Sequence, residues 1–95
     1  MAVKIFILRK VEHEKEADLK PYLIKLRSLA MTQPGYISGE TLLNYDDPDD
    51  YLVISSWKTV EDWNSWIENE ARMEVQDKID ELLGCETMYQ IYYNG

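Results

Sequence analysis

Residues 2 to 11, A-V-K-I-F-I-L-R-K-V, are apolar on both alternating sets of positions, so they predict a strand covered on two faces. Leu19, Tyr22, Leu23, Leu26, Leu29 and Ala30 then recur at helical spacing, with Lys20, Lys25, Arg27 and Ser28 facing away. Asp18 as N-cap would put Pro21 in the first turn, where backbone N–H groups lack an intrahelical partner. Gln33-Pro34-Gly35 stops this helix. A second strand is predicted over 36–45, Y-I-S-G-E-T-L-L-N-Y, with Gly39 marking a bulge. D-D-P-D-D is a turn signal, and Y-L-V-I-S-S-W, 51–57, completes a hairpin with a loop of about five residues. Thr59 and Asp62 form a variant capping box. Val60, Trp63, Ile67, Ala71, Val75, Ile79 and Leu82 continue as a helical stripe with a break near Asn69, ended by Gly84. T-M-Y-Q-I-Y-Y, 87–93, reads as a fourth strand.

The order β-α-β-β-α-β is the ferredoxin-like α+β arrangement, with a four-stranded antiparallel sheet in one domain over residues 1–95. Right-handed crossovers place strands 1 and 3 centrally and strands 2 and 4 at the edges. Both central strands are apolar on both sets, yet the helices can cover only one face of the sheet. The other face would leave an apolar patch larger than soluble monomers tolerate. Its simplest cover is a second copy of the chain, giving a homodimer through the sheet face.

Charge narrows the partners. Ten Lys and Arg stand against eighteen Asp and Glu, a formal charge of −8 spread along the chain. That sign disfavours nucleic acid and anionic membrane surfaces, which select basic faces. Cys85 is the only cysteine, so no internal disulfide or multi-cysteine metal site can form. I-F-I-L at 5–8 is too short to span a bilayer and is not followed by a small-residue cleavage site. A cytoplasmic location is the default expectation.

Few residues suggest polar catalysis. His13 is the only histidine and lies in the polar run E-H-E-K-E, where a solvated loop residue is expected. Asp46, Asp47, Asp49 and Asp50 lack the spaced ligands and final Glu of a calcium loop, so they read as a solvated turn. No G-x-G-x-x-G or related phosphate loop is present, leaving flavin and nicotinamide without a docking motif. The aromatic inventory says more. Three Trp, seven Tyr and one Phe make up 12% of the chain, and all three tryptophans fall within W-K-T-V-E-D-W-N-S-W, 57–66. Trp63 lies on the apolar stripe and is expected in the core, with Trp66 at its shoulder, partly exposed. Trp57 ends strand 3 at the mouth between sheet and helix, a usual place for ligand pockets.

P-G-Y after the first helix, followed by D-Y-L-V-I-S-S-W-K-T-V-E-D-W-N-S-W-I, resembles the antibiotic biosynthesis monooxygenase (ABM) family of dimeric α/β barrels. The resemblance implies a homodimer with its two sheets face to face, each subunit holding a small-molecule cavity between sheet and helices. It also implies cofactor-independent oxygenation of an electron-rich aromatic such as a quinol or phenol, needing neither metal nor flavin. The competing class is a non-catalytic ligand-binding or interaction dimer of the same fold. Trp57, Trp66, Phe6 and Tyr22 are the candidate substrate-binding residues, and no general base is identified. The family's haem-degrading branch combines an Asn on strand 1, a Trp ending strand 3 and a ligand His on the second helix. Trp57 matches, but strand 1 has no Asn and the His position falls on Gln76, a poor iron ligand. Haem degradation is therefore not expected.

Overall fold

The computed structural model describes residues 1–95. Four strands, β1 (Val3–Lys10), β2 (Tyr36–Leu43), β3 (Asp50–Trp57) and β4 (Met88–Tyr93), form one antiparallel sheet in the order β2-β3-β1-β4. Helices α1 (Glu16–Ala30), α2 (Val60–Ile67) and α3 (Glu70–Leu83) complete a ferredoxin-like α+β fold. No helix is long and apolar enough to cross a membrane.

Helix α1 begins earlier than the expected Asp18 cap. A 3-10 turn over His13–Lys15 leads into it, and Lys15 occupies the N-cap position without a side-chain cap bond. Pro21 consequently lies inside the helix rather than in its first turn. The bulge in β2 also differs from expectation, falling between Tyr36 and Ser38 rather than at Gly39. Gly39 serves another purpose. A Cβ there would lie 2.8 Å from the Tyr36 hydroxyl and 3.1 Å from Arg27 Nε. The bare backbone lets Arg27 cross β2 and donate to Gly39 O at 3.0 Å and Thr41 Oγ1 at 3.1 Å.

The break near Asn69 is real, and its two sides are capped separately. Thr59 Oγ1 accepts from the Asp62 N–H at 3.1 Å, while Asn69 Oδ1 accepts from the Arg72 N–H at 3.0 Å. Gly35 sits against the first cap: its φ is 84°, and a Cβ there would lie 2.1 Å from Asp62 Oδ2. The turn after α1 is thus fitted closely to the start of α2. Restarting the helix at Asn69 rotates the buried stripe. Val75 and Ile79 are buried as expected, but Ala71 is exposed, and Arg72, Gln76 and Leu83 join the buried face of α3.

Two core clusters result. The larger joins Val3, Ile5, Ile7 and Val53 of the sheet with Ala30, Trp57, Trp63 and Trp66. The smaller packs Val11 and Leu19 against Val75, Ile79 and Leu83 of α3. Trp57 is fully buried at the centre of the first, its ring centroid 5.4 Å from Tyr36, 5.9 Å from Trp63 and 6.1 Å from Trp66. Trp57 Nε1 donates to Ser55 Oγ at 2.8 Å, so its one polar atom is satisfied inside the core.

Strand alternation sends Val3, Ile5, Ile7 and Arg9 toward the helices and Phe6 and Leu8 to the other face. Across the sheet Phe6 stands opposite Ile54, and Leu8 lies between Leu52 and Met88. With Leu42 and Tyr92 these side chains form an apolar face that no helix covers.

Truncating the central ring tests this account of the core. Trp57→Ala should lower stability by about 3–5 kcal/mol. Trp57→Phe should cost less but still measurably, because it opens a void and leaves Ser55 without its donor. Denaturant unfolding measures both, and an alanine variant within about 1 kcal/mol of the parent would contradict the placement.

Candidate functional site

A cavity open to solvent at its mouth lies between the sheet and the helices. Its position follows from β1: Ile7 belongs to one core cluster and Val11 to the other, and Arg9 between them occupies the gap. Ile7 and Arg9 of β1, Val53 and Ser55 of β3 and Tyr89 of β4 form the floor. Leu23, Leu26, Arg27 and Ala30 of α1 form one wall. Trp63, Trp66, Arg72 and Gln76 of α2 and α3 form the other, with Tyr36 and Thr41 of β2 completing the lining.

The aromatic residues expected at this site are differently placed. Trp66 stands at the wall and is buried rather than partly exposed. Trp63 reaches the same wall, although its stripe position marked it only as core. Trp57 does not line the cavity: it lies behind the other two tryptophans with its N–H spent on Ser55. Phe6 points to the open sheet face, because a strand neighbour of inward Ile5 and Ile7 must face the other way. There its ring lies 4.7 Å from Tyr92. Tyr22 packs with the smaller core cluster, in an outer groove beside Lys78 and Leu82. Of the four candidates, the structure brings only Trp66 to the cavity.

The polar groups form two hydrogen-bonded sets, one around Gln76 and one around Arg72. Arg9 Nη2 donates to Gln76 Oε1 at 3.2 Å, and Gln76 Nε2 donates to Asp80 Oδ1 and Thr87 Oγ1, each at 2.8 Å. Arg72 donates to Ile67 O at 3.0 Å and also to the Tyr89 hydroxyl. Its guanidinium carbon lies 5.6 Å from the Tyr89 ring centroid. Gln76 thus spends both ends of its amide on protein partners, which does not suit it to ligate haem iron. His13 lies far from this chemistry, exposed and 3.3 Å from Glu16 Oε2. The acidic turn is tied to β1 instead, with Lys10 Nζ 3.2 Å from Asp47 Oδ2 and 3.4 Å from Asp50 Oδ1.

Arg9, Arg72, Gln76 and Tyr89 had no place among the expected site residues, but two left a trace in the sequence. Arg9 falls on the inward phase of β1 between Ile7 and Val11, where an unaccompanied charge is unusual. Arg72 lies one turn beyond the Asn69 cap, on the face that α3 buries. Tyr89 gave no comparable signal.

Burial raises the Tyr89 pKa above 10.0, and this outweighs the opposing pull of Arg72 and Arg9. Tyr89 is therefore a neutral phenol at pH 7. Burial likewise lowers the Arg9 pKa, Tyr89 and Asp80 act against that shift, and Arg72 reinforces it. Arginine nevertheless stays charged in proteins.

The antibiotic biosynthesis monooxygenase family model matches residues 2–78, and the chain belongs to that family. A conserved protein from Methanosarcina mazei Go1 superposes with a TM-score of 0.91 at 19% identity, over 100% of this chain and 94% of that one. Rv0793 from Mycobacterium tuberculosis gives 0.86 at 9% identity, over 100% and 96%. The cofactor-independent oxygenase SnoaB from Streptomyces nogalater gives 0.85 at 13% identity, over 98% and 92%. At these identities the likeness is one of fold. No curated protein matches the sequence.

Tyr89 supplies a pH test. A tyrosine whose folded pKa is raised contributes stability that is fully present below its unfolded value and lost as pH rises through the folded one. Unfolding free energy should therefore fall above about pH 10, and less steeply in Tyr89→Phe. Denaturation at several alkaline pH values reads this out, and parallel curves for the two proteins would refute it.

Proposed function

We propose that the protein is a cofactor-independent monooxygenase acting on a small electron-rich aromatic, a quinol or phenol. One observation carries this reading: the cavity sets aromatic walls, Tyr36, Trp63, Trp66 and Tyr89, beside buried arginines. Family membership supports it. Flat rings accept a flat substrate, and guanidinium groups in a desolvated site favour the substrate's phenolate over its phenol. The phenolate can then pass one electron to O₂. Superoxide recombines with the ring radical at a ring carbon, and the resulting hydroperoxide loses water to leave a quinone. One oxygen atom of O₂ enters the product and the other leaves as water, the C–H and O–H hydrogens of the phenol supplying both protons. Positive charge from Arg9 and Arg72 would stabilise the anions along this path.

The proposed working unit is a homodimer. Phe6, Leu8, Leu52 and Ile54 on the open sheet face would meet their copies, closing two sheets into a barrel and leaving each cavity on the helical side. This arrangement covers the apolar face without obstructing the site.

Oxygen uptake with a panel of quinols and phenols, repeated under ¹⁸O₂, tests the chemistry. One ¹⁸O per quinone is expected. Binding without oxygen uptake across the panel would replace the oxygenase with a non-catalytic binding protein. For the assembly, light scattering at tens of micromolar, a working concentration for stable interfaces, should give twice the 11.2 kDa chain mass. Ile54→Glu should shift the protein toward monomer. A monomeric parent would eliminate the sheet-face dimer.

A further inference from the structure

The cavity's charge is opposite in sign to that of the molecule. The chain carries a formal charge of −8, yet Arg9, Arg27 and Arg72 all line this one space and no carboxylate does. None of the three has a carboxylate within ion-pair distance, since the salt bridges of the fold involve only Lys10, His13, Lys15 and Lys78. Arg27 is engaged at the rim by Gly39 O and Thr41. Arg9 and Arg72 are deeply buried, at 5% and 6% exposure.

Burying an unpaired charge is costly, and a fold normally offsets that cost with a counter-ion. The protein supplies little of one here. Arg72 donates to a backbone carbonyl and to a phenol. Arg9 donates only to the neutral Gln76 amide, and its Nε is enclosed with no partner at all. Asp80 acts on Arg9 from a distance and forms no ion pair with it, Gln76 being hydrogen-bonded to both. A serious imbalance remains at the floor of an open cavity.

We infer that the missing counter-ion belongs to the ligand, and that the cavity takes an aromatic carboxylate whose acid group is drawn to Arg9 and Arg72. The inference rests on the same cavity as the proposed oxygenase and narrows its substrate class to small aromatic acids. A carboxylate suits the site better than a phenolate alone for two reasons. It is already charged at pH 7, so no binding energy is used to ionise it. Its two coplanar oxygens also match the planar donor array of a guanidinium. The ring would lie among Tyr36, Trp63 and Trp66, which offer flat apolar surface beside the charge.

Calorimetric titration at pH 7 under nitrogen separates this inference from turnover. The probes are 2,5-dihydroxybenzoate, its methyl ester and hydroquinone, all with the same electron-rich ring. The acid should bind at least about tenfold more tightly than either neutral probe, a modest return for charge-assisted hydrogen bonds. Arg9→Met should bring acid and ester to within about threefold, and Arg9→Lys should retain part of the preference. Should Arg9→Met not fold, thermal melting of the unaltered protein gives an independent reading, because the tighter ligand raises Tm more at equal concentration. Equal affinity for acid and ester, a preference for the ester, or no binding of the acid at millimolar concentration would each overturn the inference. A clear acid preference without oxygen uptake would uphold it while defeating the oxygenase, and uptake without acid preference would do the reverse.

Discussion

Trp57 is the point on which the arrangement turns. Its indole is fully buried, meets Tyr36 from the start of β2 and both tryptophans of α2, and finds its only hydrogen-bond partner two residues back at Ser55. Because the N–H is satisfied within β3, the ring can sit in an apolar core without a desolvation penalty. Trp63 and Trp66 are then held between this ring and the cavity. They can be core and wall together, because one side of each packs on Trp57 and each also contributes to the lining. The question posed by three tryptophans in ten residues has a layered answer: one is foundation, and two are the surface built on it.

A second constraint fixes where the polar groups can stand. The sheet supports two core clusters of unequal size, and the inward phase of β1 must pass from one to the other. Arg9 occupies that passage. A side chain so long has no room in either cluster, yet it can extend along the seam and reach Gln76 on α3. The restart of the helix at Asn69 supplies the opposite wall, since the new phase turns Arg72 and Gln76 inward. The cavity is therefore a product of packing geometry, where a strand bridges two cores and a helix changes register above it.

Much of this architecture could be read from the chain, for physical reasons that differ by element. The β-α-β-β-α-β order with right-handed crossovers puts β1 and β3 at the centre of the sheet, and their two-sided apolar pattern agrees with that place. The capped break at Asn69 was visible as a polar interruption of a periodic stripe. Helix α1 starts earlier than Pro21 suggests, because the 3-10 turn over His13–Lys15 leads directly into it and places the proline inside the helix. At the site the legible signals were weaker. Phe6 and Tyr22 were candidates by residue type, but alternation and helix phase send them elsewhere. Aromatic residues announce themselves in a composition, whereas Arg9 and Arg72 look like ordinary surface charges until their phase is considered.

The sheet order also has a kinetic consequence. β1 is the first strand of the sheet to leave the ribosome, and both of its neighbours, β3 and β4, lie later in the chain. Val3 pairs with Trp57 on one side and with Tyr93 on the other. Until β4 emerges, one edge of this central strand has no partner, and the Tyr89 that meets Arg72 has not yet arrived. Long-range pairing of this kind is slow to form and exposes strand edges while it does so. Strand β1 therefore waits longest for its second partner, and over that interval the chain's net charge of −8 disfavours association between copies through the open edge.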